Sequence, residues 1–381
     1  MISTDNKYDY IIIGAGCAGL SLAYRLLNKN YKICILESNK NINEKNKLWS
    51  FWDTKKTPFN HLIKKRWEYL IIKNKSESIK INCKDYNYQS INSSDFNNYI
   101  INKINKNINF DLIFSEKVEN IKKNNNEVIL TTSKNIYKCK HIFDSSPKIQ
   151  KVFMWQKFFG AYVEAEEEIF DEKSPIFMEF SDTENKFHFM YILPFSKKTA
   201  LIESTYFSCH EEKEMLDENF IDSYMHKKHP NKKYTIQKTE FGRIPMDTKI
   251  NSITEDYITK IGSYSGVTRA STGYTFINIQ KQADKLANIM PVISGNNESK
   301  RYFHSILLRK MDAVFLEIIS NNPEYMKNAL MDLFRTKKHN PQIRFLSDTP
   351  TILDILKIII YLPKIKFMQY ALGIKKNLND K

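Results

Sequence analysis

Residues 8–38 read YDYIIIGAGCAGLSLAYRLLNKNYKICILES. Tyr10 to Ile13 is a short apolar run of the kind a buried parallel strand requires, and Gly14, Gly16 and Gly19 follow it in GxGxxG spacing. Each glycine has its own duty. Gly14 permits the tight turn, Gly16 (next to Ala15) lets backbone N–H groups approach a pyrophosphate, and Gly19 lets the next helix pack closely on the strand. Leu20, Ala23, Leu26 and Leu27 then recur at helical spacing, and Ile33 to Leu36 forms a second strand that ends on Glu37. That carboxylate stands 23 residues after Gly14, where it can accept hydrogen bonds from a ribose 2′-hydroxyl. The stretch is a βαβ nucleotide-binding unit, and its acid favours FAD or NAD over NADP. Cys17 reads as a small residue that fits the loop, since nothing nearby marks it as reactive.

The 381 residues suffice for two or three units with real cores. The net charge of +15 is spread through runs such as NKNINEKNK and NKINKNINF, which reads as coding bias rather than a phosphate-binding patch, so no nucleic-acid partner is expected. Five scattered cysteines, none spaced as CxxC, argue against a disulfide framework or a zinc site and for a reducing, cytoplasmic location. No signal-peptide pattern and no membrane-length apolar run is read, so no metal and no membrane span are expected.

Beyond the first unit, Asp95 to Lys106 reads as an amphipathic helix with Phe96, Tyr99, Ile100 and Ile104 on one side. Alternating stretches follow: FDLIFSEKVENI, a turn at residues 123–126, then EVILTTS and NIYKCKHIFDSS. Asp144, at the end of the last, either approaches a cofactor edge or caps a turn. At residues 200–208 the chain reads ALIESTYFS, and a period of two puts Glu203 on one face with Leu201, Thr205 and Phe207. A carboxylate among apolar groups must be paired, hydrated or kept protonated with a raised pKa, and the last state is a proton donor.

A set of blocks carries a more specific message: WSFWD (Trp49–Asp53), WQKFFGAYVEA (Trp155–Ala165), PIFMEF (Pro175–Phe180), MYILPFS (Met190–Ser196), ALIEST, FGRIPM and GSYSGVTRASTGYTF. Their order over residues 8–372 resembles the bacterial lycopene cyclases, flavoproteins of a larger group that includes hydroxylases and geranylgeranyl reductases. The resemblance implies an α/β fold (α+β overall) with a Rossmann-like FAD-binding domain, a β-rich substrate domain and a helical C-terminal region. The expected partition is 1–60, 91–150 and 241–300 for the discontinuous FAD-binding domain, 61–90 and 151–240 for the substrate domain, and 301–381 for the helical region. It further implies reduced FAD as the active cofactor, NADH or NADPH as electron donor, and lycopene or a related linear carotenoid as substrate.

Carried over to this chain, the family's candidate catalytic acid falls on Glu203, with Glu179 of PIFMEF as a secondary candidate at a position where the family usually has aspartate. Many relatives have a second acid after the first, whereas this chain has Ser204, which implies the loss of one proton relay. The cofactor would be held by Gly14, Ala15, Gly16, Gly19 and Glu37 and, in the second block, by Gly262, Gly266, Ser271, Thr272 and Gly273. Gly262 is followed by Ser263 where the wider group has aspartate, an absence common among cyclases. Ala270 replaces the family's usual proline. Ser271 to Tyr274 reads as a helix start with a hydroxyl N-cap.

The chemistry suits these residues. An isolated alkene is a weak base, so ring closure needs an acid in a dry pocket, aromatic faces for the cation, and exclusion of the water that would trap it. Trp49, Phe51, Trp52, Trp155, Phe158, Phe159, Tyr191 and Phe195 crowd the family blocks, and one or two are expected to line the substrate tunnel. In the C-terminal region RYFHSILLRKMDAVFLEIIS puts Ile306, Leu307, Met311, Val314, Phe315 and Ile318 on one side as a core stripe. PTILDILKIIIYLPKIKFMQYALG is basic and apolar, a composition suited either to packing on the protein body or to peripheral contact with the inner face of the cytoplasmic membrane. The reading is a lycopene cyclase giving β-carotene via γ-carotene. An FAD-dependent isoprenoid reductase or hydroxylase and a basic RNA-binding flavoprotein are the alternatives.

Overall fold

The computed structural model describes residues 6–44, 46–124, 127–147, 151–181, 186–209, 218–250, 252–255, 257–289, 299–301 and 303–373. Strand β1 (Tyr10–Ile13), helix α1 (Cys17–Leu26) and strand β2 (Ile33–Leu36) form the expected βαβ unit, with the two strands parallel in the register Tyr10↔Ile33 to Ile13↔Leu36. Both strands are buried throughout, as a parallel strand covered on two faces must be.

The chain then leaves this sheet through β3 (Leu48–Trp52), β4 (Ile63–Trp67), β5 (Tyr69–Lys73), β6 (Ser78–Asn82) and β7 (Tyr88–Asn92). It returns through α2 (Ser93–Ile104) to β8 (Phe110–Ile113), which lies parallel beside β2. Strands β9 (Val118–Asn124), β10 (Glu127–Thr132) and β11 (Ile136–Cys139) make an antiparallel excursion before β12 (His141–Asp144) returns beside β1. The second excursion is β-rich: β13 (Met154–Ala165), β14 (Ile176–Phe180), β15 (His188–Pro194), β16 (Thr199–Ser208), α3 (Glu218–Lys228) and β17 (Tyr234–Met246). Strands β18 (Ser252–Glu255) and β19 (Ile258–Lys260), helix α4 (Phe276–Ile289) and β20 (Ser299–Arg301) complete the nucleotide sheet. Helices α5 (Ile306–Asn321), α6 (Pro323–Phe334), α7 (Asn340–Leu346), α8 (Ile352–Tyr361) and α9 (Lys364–Ala371) follow.

Two seven-stranded sheets result, in the orders β20-β18-β19-β12-β1-β2-β8 and β17-β13-β16-β15-β14-β5-β6. Between them in sequence lies the small sheet β3-β7-β4. These memberships move two expected boundaries. Strand β17 continues the substrate sheet to Met246, because it pairs with β13 along the whole length of that strand, with a register shift that passes over Gln237. Strands β4 and β7 join β3 rather than the substrate sheet, so of residues 61–90 only β5 and β6 extend it.

Two further expectations change, and the open choice at Asp144 is decided for the turn. Helix α2 starts at Ser93, directly off the end of β7, and stops at Ile104. The Asp144 carboxylate serves the turn, accepting the Ser146 N–H at 2.8 Å, and pairs with Lys260. Along α5 the buried residues are Leu308, Asp312, Leu316, Ile318 and Ile319, with Met311, Val314 and Phe315 packed against the core beside them, while Ile306 and Leu307, expected on the same stripe, are 67% and 50% exposed. The cause is an ion pair. Arg269, with no exposed surface, donates from Nε to both Asp312 oxygens at 2.9 and 2.8 Å and from Nη1 to the Phe345 carbonyl at 2.7 Å. Holding Asp312 inward rotates the helix and ties the loop before α4 to the helical region. Among the described residues no helix is long and apolar enough to cross a membrane.

Removing one partner of such a pair leaves an uncompensated buried charge, which costs about 3–5 kcal/mol. Arg269→Met is therefore expected to lower the urea midpoint strongly, and Arg269→Met/Asp312→Leu to restore much of the loss. Equal losses in the single and double variants would show that packing, not charge, governs this joint.

Candidate active site

The nucleotide loop is preorganised. Gly14 adopts φ +93°, and the Ala15 N–H donates to Glu37 Oε2 at 2.7 Å while Glu37 Oε1 accepts from the Asn39 backbone and side-chain nitrogens at 2.8 and 2.7 Å. A Cβ at Gly19 would stand 1.9 Å from the Gly14 carbonyl oxygen, so only glycine allows this contact between helix and turn. At Gly16 a Cβ would meet nothing within 4 Å, and no side chain caps the N-terminus of α1 there. An open space in front of uncapped helix N–H groups, bordered by the carboxylate of Glu37, fits the pyrophosphate and ribose of a dinucleotide. Gly262, at φ +77°, brings the second block against this helix: a Cβ there would be 2.8 Å from Ala18 Cβ. Gly266 follows in the left-handed region at φ +78°.

Ser271 does not start a helix. Its hydroxyl donates to Asp312 at 2.7 Å, and α4 begins five residues later at Phe276. The intervening loop accepts this because Gly273 (φ +69°) reverses the chain, and Ser271, Thr272 and Gly273 lie at the wall of a cavity of about 400 Å³.

This cavity separates the cofactor blocks from the substrate sheet. One wall is the loop from Ser263 to Phe276, and the opposite wall is the inner face of the sheet, with Phe158, Phe189, Tyr191, Leu201, Glu203 and Phe207. Phe315, Leu330, Phe334 and Leu346 from α5, α6 and α7 close another side. Of the aromatic residues singled out in the sequence, Trp49, Trp52, Phe158 and Tyr191 reach the cavity. Phe159 packs on the far face of the sheet, Phe51 stacks on Phe276, and Trp155 lies beneath Arg243. Phe207, grouped with Glu203 by alternation, also lines the cavity, and the sequence reading missed Phe177, Phe187 and Phe189, which line it as well.

Glu203 sits in the middle of the sheet wall. Its partial accessibility is toward the cavity, and burial followed by repulsion from Glu240 pushes its carboxyl up to about 8. A hydrogen bond from Thr205 Oγ1 at 2.9 Å and the Lys47 charge oppose this without reversing it. Glu203 is thus a neutral acid at pH 7 beside aromatic rings.

Glu179 is not brought to it. It pairs across β15 with Met190 and points to the opposite face, where Tyr224 donates at 2.6 Å and Lys73 and Lys228 approach at 3.1 and 2.5 Å. Burial alone would raise its pKa, but Lys228, Tyr224 and Lys73 outweigh it and hold the carboxylate ionised. Ser204 also faces that side, bonded to His188 Nε2 at 2.8 Å. Consecutive strand residues point to opposite faces, so an acid at position 204 would not share the cavity with Glu203, and the serine there costs no relay in the cavity. The carboxylate that does neighbour Glu203 is Glu240 of β17, reached through strand register and not through sequence proximity.

Neutrality of Glu203 has a thermodynamic signature. Between its ordinary value of 4.5 and about 8 the folded chain binds a proton that the unfolded chain has released, so stability falls as pH rises, by up to about 1.4 kcal/mol per unit. Urea titrations from pH 5 to pH 8 are expected to show Glu203→Gln gaining stability relative to the parent as pH increases. A pH-independent difference would mean that Glu203 is already ionised.

The fold recurs in solved structures at low identity. Bmp2, a flavin-dependent brominase, matches with a TM-score of 0.67 at 13% identity, covering 96% of this chain and 100% of that one. A geranylgeranyl bacteriochlorophyll reductase-like protein from Thermoplasma acidophilum matches at 0.63 and 13%, covering 97% and 100%. The halogenase PltM, solved with phloroglucinol and FAD, matches at 0.61 and 12%, covering 96% and 85%. No curated protein matches the chain by sequence. A sequence profile described as lycopene cyclase protein matches residues 9–372, nearly the full length, and the chain belongs to the lycopene cyclase family.

Proposed function

We propose that the chain is a flavin-dependent lycopene cyclase that converts the linear ends of lycopene to carotene rings without net redox change, giving β-carotene via γ-carotene. The observation that carries this reading is Glu203: a carboxyl held neutral by burial, aimed into an aromatic cavity whose other wall is the cofactor block. The dinucleotide would be FAD, held at its pyrophosphate by Ala15, Gly16 and the start of α1, at its ribose by Glu37, and toward the cavity by the loops at Gly262–Gly266 and Ser271–Gly273. Kept reduced by NADH or NADPH, FAD supplies a delocalised negative charge to a site that must handle a cation.

The chain's own residues perform the proton transfers. Glu203 gives its O–H proton to the terminal alkene carbon, a neighbouring double bond closes the six-membered ring on the resulting tertiary cation, and a ring C–H proton leaves to restore the alkene. The rings of Phe158, Trp52 and Tyr191 present their faces to developing positive charge, and the apolar side chains of α5, α6 and α7 keep out water.

The substrate class also requires access to a bilayer, and α8 and α9 are suited to provide it. Leu353, Leu356 and Ile360 form an outward stripe 68%, 51% and 61% exposed, continued on α9 by Ile365 and Met368. Lys357 and Lys364 are exposed among them, and Asp354, the sole acid between residues 349 and 373, is buried against Arg344 at 2.6 Å. Apolar side chains ringed by lysines suit peripheral docking on the anionic inner face of the cytoplasmic membrane. Residues 374–381, whose lysines entered the same expectation, lie outside the described residues.

Expression in a lycopene-accumulating bacterium should replace lycopene by cyclic carotenes, and Glu203→Gln should lower turnover by two orders of magnitude or more. Unchanged lycopene with the parent enzyme, or full activity in the variant, would refute the assignment. One nicotinamide consumed per double bond lost would identify a reductase instead. Flotation with anionic liposomes should be lost in Leu353→Glu/Ile360→Glu; undiminished binding would dismiss α8 as the contact.

A further inference from the structure

We infer that Glu240 is the positioning residue that keeps Glu203 protonated, the two carboxylates facing each other over Gly160 and carrying one negative charge between them. The register places them there. Glu203 on β16 and Glu240 on β17 are both directly opposite Gly160 on β13, so all three positions project to the same face of the sheet. A Cβ on Gly160 would stand 3.1 Å from Glu240 Cγ, 3.1 Å from Leu201 Cδ1 and 3.7 Å from Glu203 Cγ, so the two acids lean, with Leu201, into the space a side chain would fill. Only Glu203 lines the cavity; Glu240 is 8% exposed and lies behind it.

The groups facing the pair treat its members differently. Lys238 favours the ionised form of Glu240, as do the Tyr162 hydroxyl, which donates to it at 3.2 Å, the Leu48 N–H, and Lys47, whose charge acts on both carboxyls. Glu203 faces Thr205, its cross-strand neighbour Tyr191, and Lys47 at the cavity wall. Both carboxyls are raised, chiefly by burial, but the Tyr162 hydroxyl, Lys238 and the Leu48 N–H favour the charged form of Glu240 alone, so Glu240 is the member that carries the charge and that charge opposes ionisation of Glu203.

This rests on, and deepens, the cyclisation reading. The raised proton affinity makes Glu203 a weaker acid, so the pair does not add acid strength. It secures two other things. Glu203 enters each cycle protonated, and once it has given the proton to the alkene it is a carboxylate beside a carboxylate, a base well able to take the ring proton back. The proton that leaves Glu203 is thereby replaced, with no other acid or base consumed.

The test separates the pair from the reaction. Infrared difference spectra of the purified full-length chain, with Glu203→Gln to assign the band, should show a protonated carboxyl that titrates near pH 8. In Glu240→Gln that titration should fall by at least one pH unit, a tenfold or greater change in acidity. The alkaline limb of the cyclisation rate should fall with it. Gly160→Ala, which wedges a methyl group between the side chains, should shift the same band downward and covers the case in which Glu240→Gln does not fold. A band that disappears in Glu203→Gln but does not move in either other variant overturns the inference. A shifted band in a protein that cyclises nothing leaves the pair standing and removes the cyclase reading.

Discussion

Desolvation of a single carboxyl group is the constraint from which the rest of the site follows. A glutamate in water is ionised at pH 7 and has no proton to give; Glu203 differs only in its surroundings. Those surroundings come from distant parts of the chain. The sheet aims the side chain, the loop between Ser263 and Phe276 forms the facing wall, and α5, α6 and α7 supply the hydrophobic closure. Arg269 and Asp312 join the last two, so a buried ion pair remote from the acid governs how dry the acid is.

The substrate sheet acts as a partition. On the far side Glu179 rests among Lys73, Lys228 and Tyr224 as an ionised group, while on the near side burial and Glu240 outweigh the Thr205 hydrogen bond and the Lys47 charge at Glu203. Two glutamates in neighbouring family blocks thus hold opposite charge states because strand register assigned them to opposite faces. The pleat decides chemistry here as directly as residue type does.

Much of this was legible in the sequence where the governing interactions are local. The βαβ unit could be read because its glycines, helix period and acidic terminus all lie within 31 residues. Alternation around Glu203 correctly grouped it with Leu201, Thr205 and Phe207. What could not be read depends on pairing between distant segments. Glu240 becomes the neighbour of Glu203 only because both strands flank Gly160, and no spacing rule within either strand announces that register. The stripe on α5 holds from Met311 to Ile318 but fails at its start for a related reason: hydropathy ranks Ile306 and Leu307 above Asp312, yet the partner of that aspartate lies on another element and Asp312 takes the buried place. The hydroxyl of Ser271 was read as a cap from its position before a helical pattern, and Asp312 claims it instead.

The helices that seal the cavity follow both large sheets in chain order. During synthesis the sheets emerge first, and domains generally fold as units in the order in which they leave the ribosome. Until Phe315, Leu330, Phe334 and Leu346 arrive, the hollow above Glu203 stands open to water and its carboxyl is hydrated like any other. These helices add shelter and no polar group: without them the cavity wall would keep every polar side chain it has and lose the dryness that sets the acid apart.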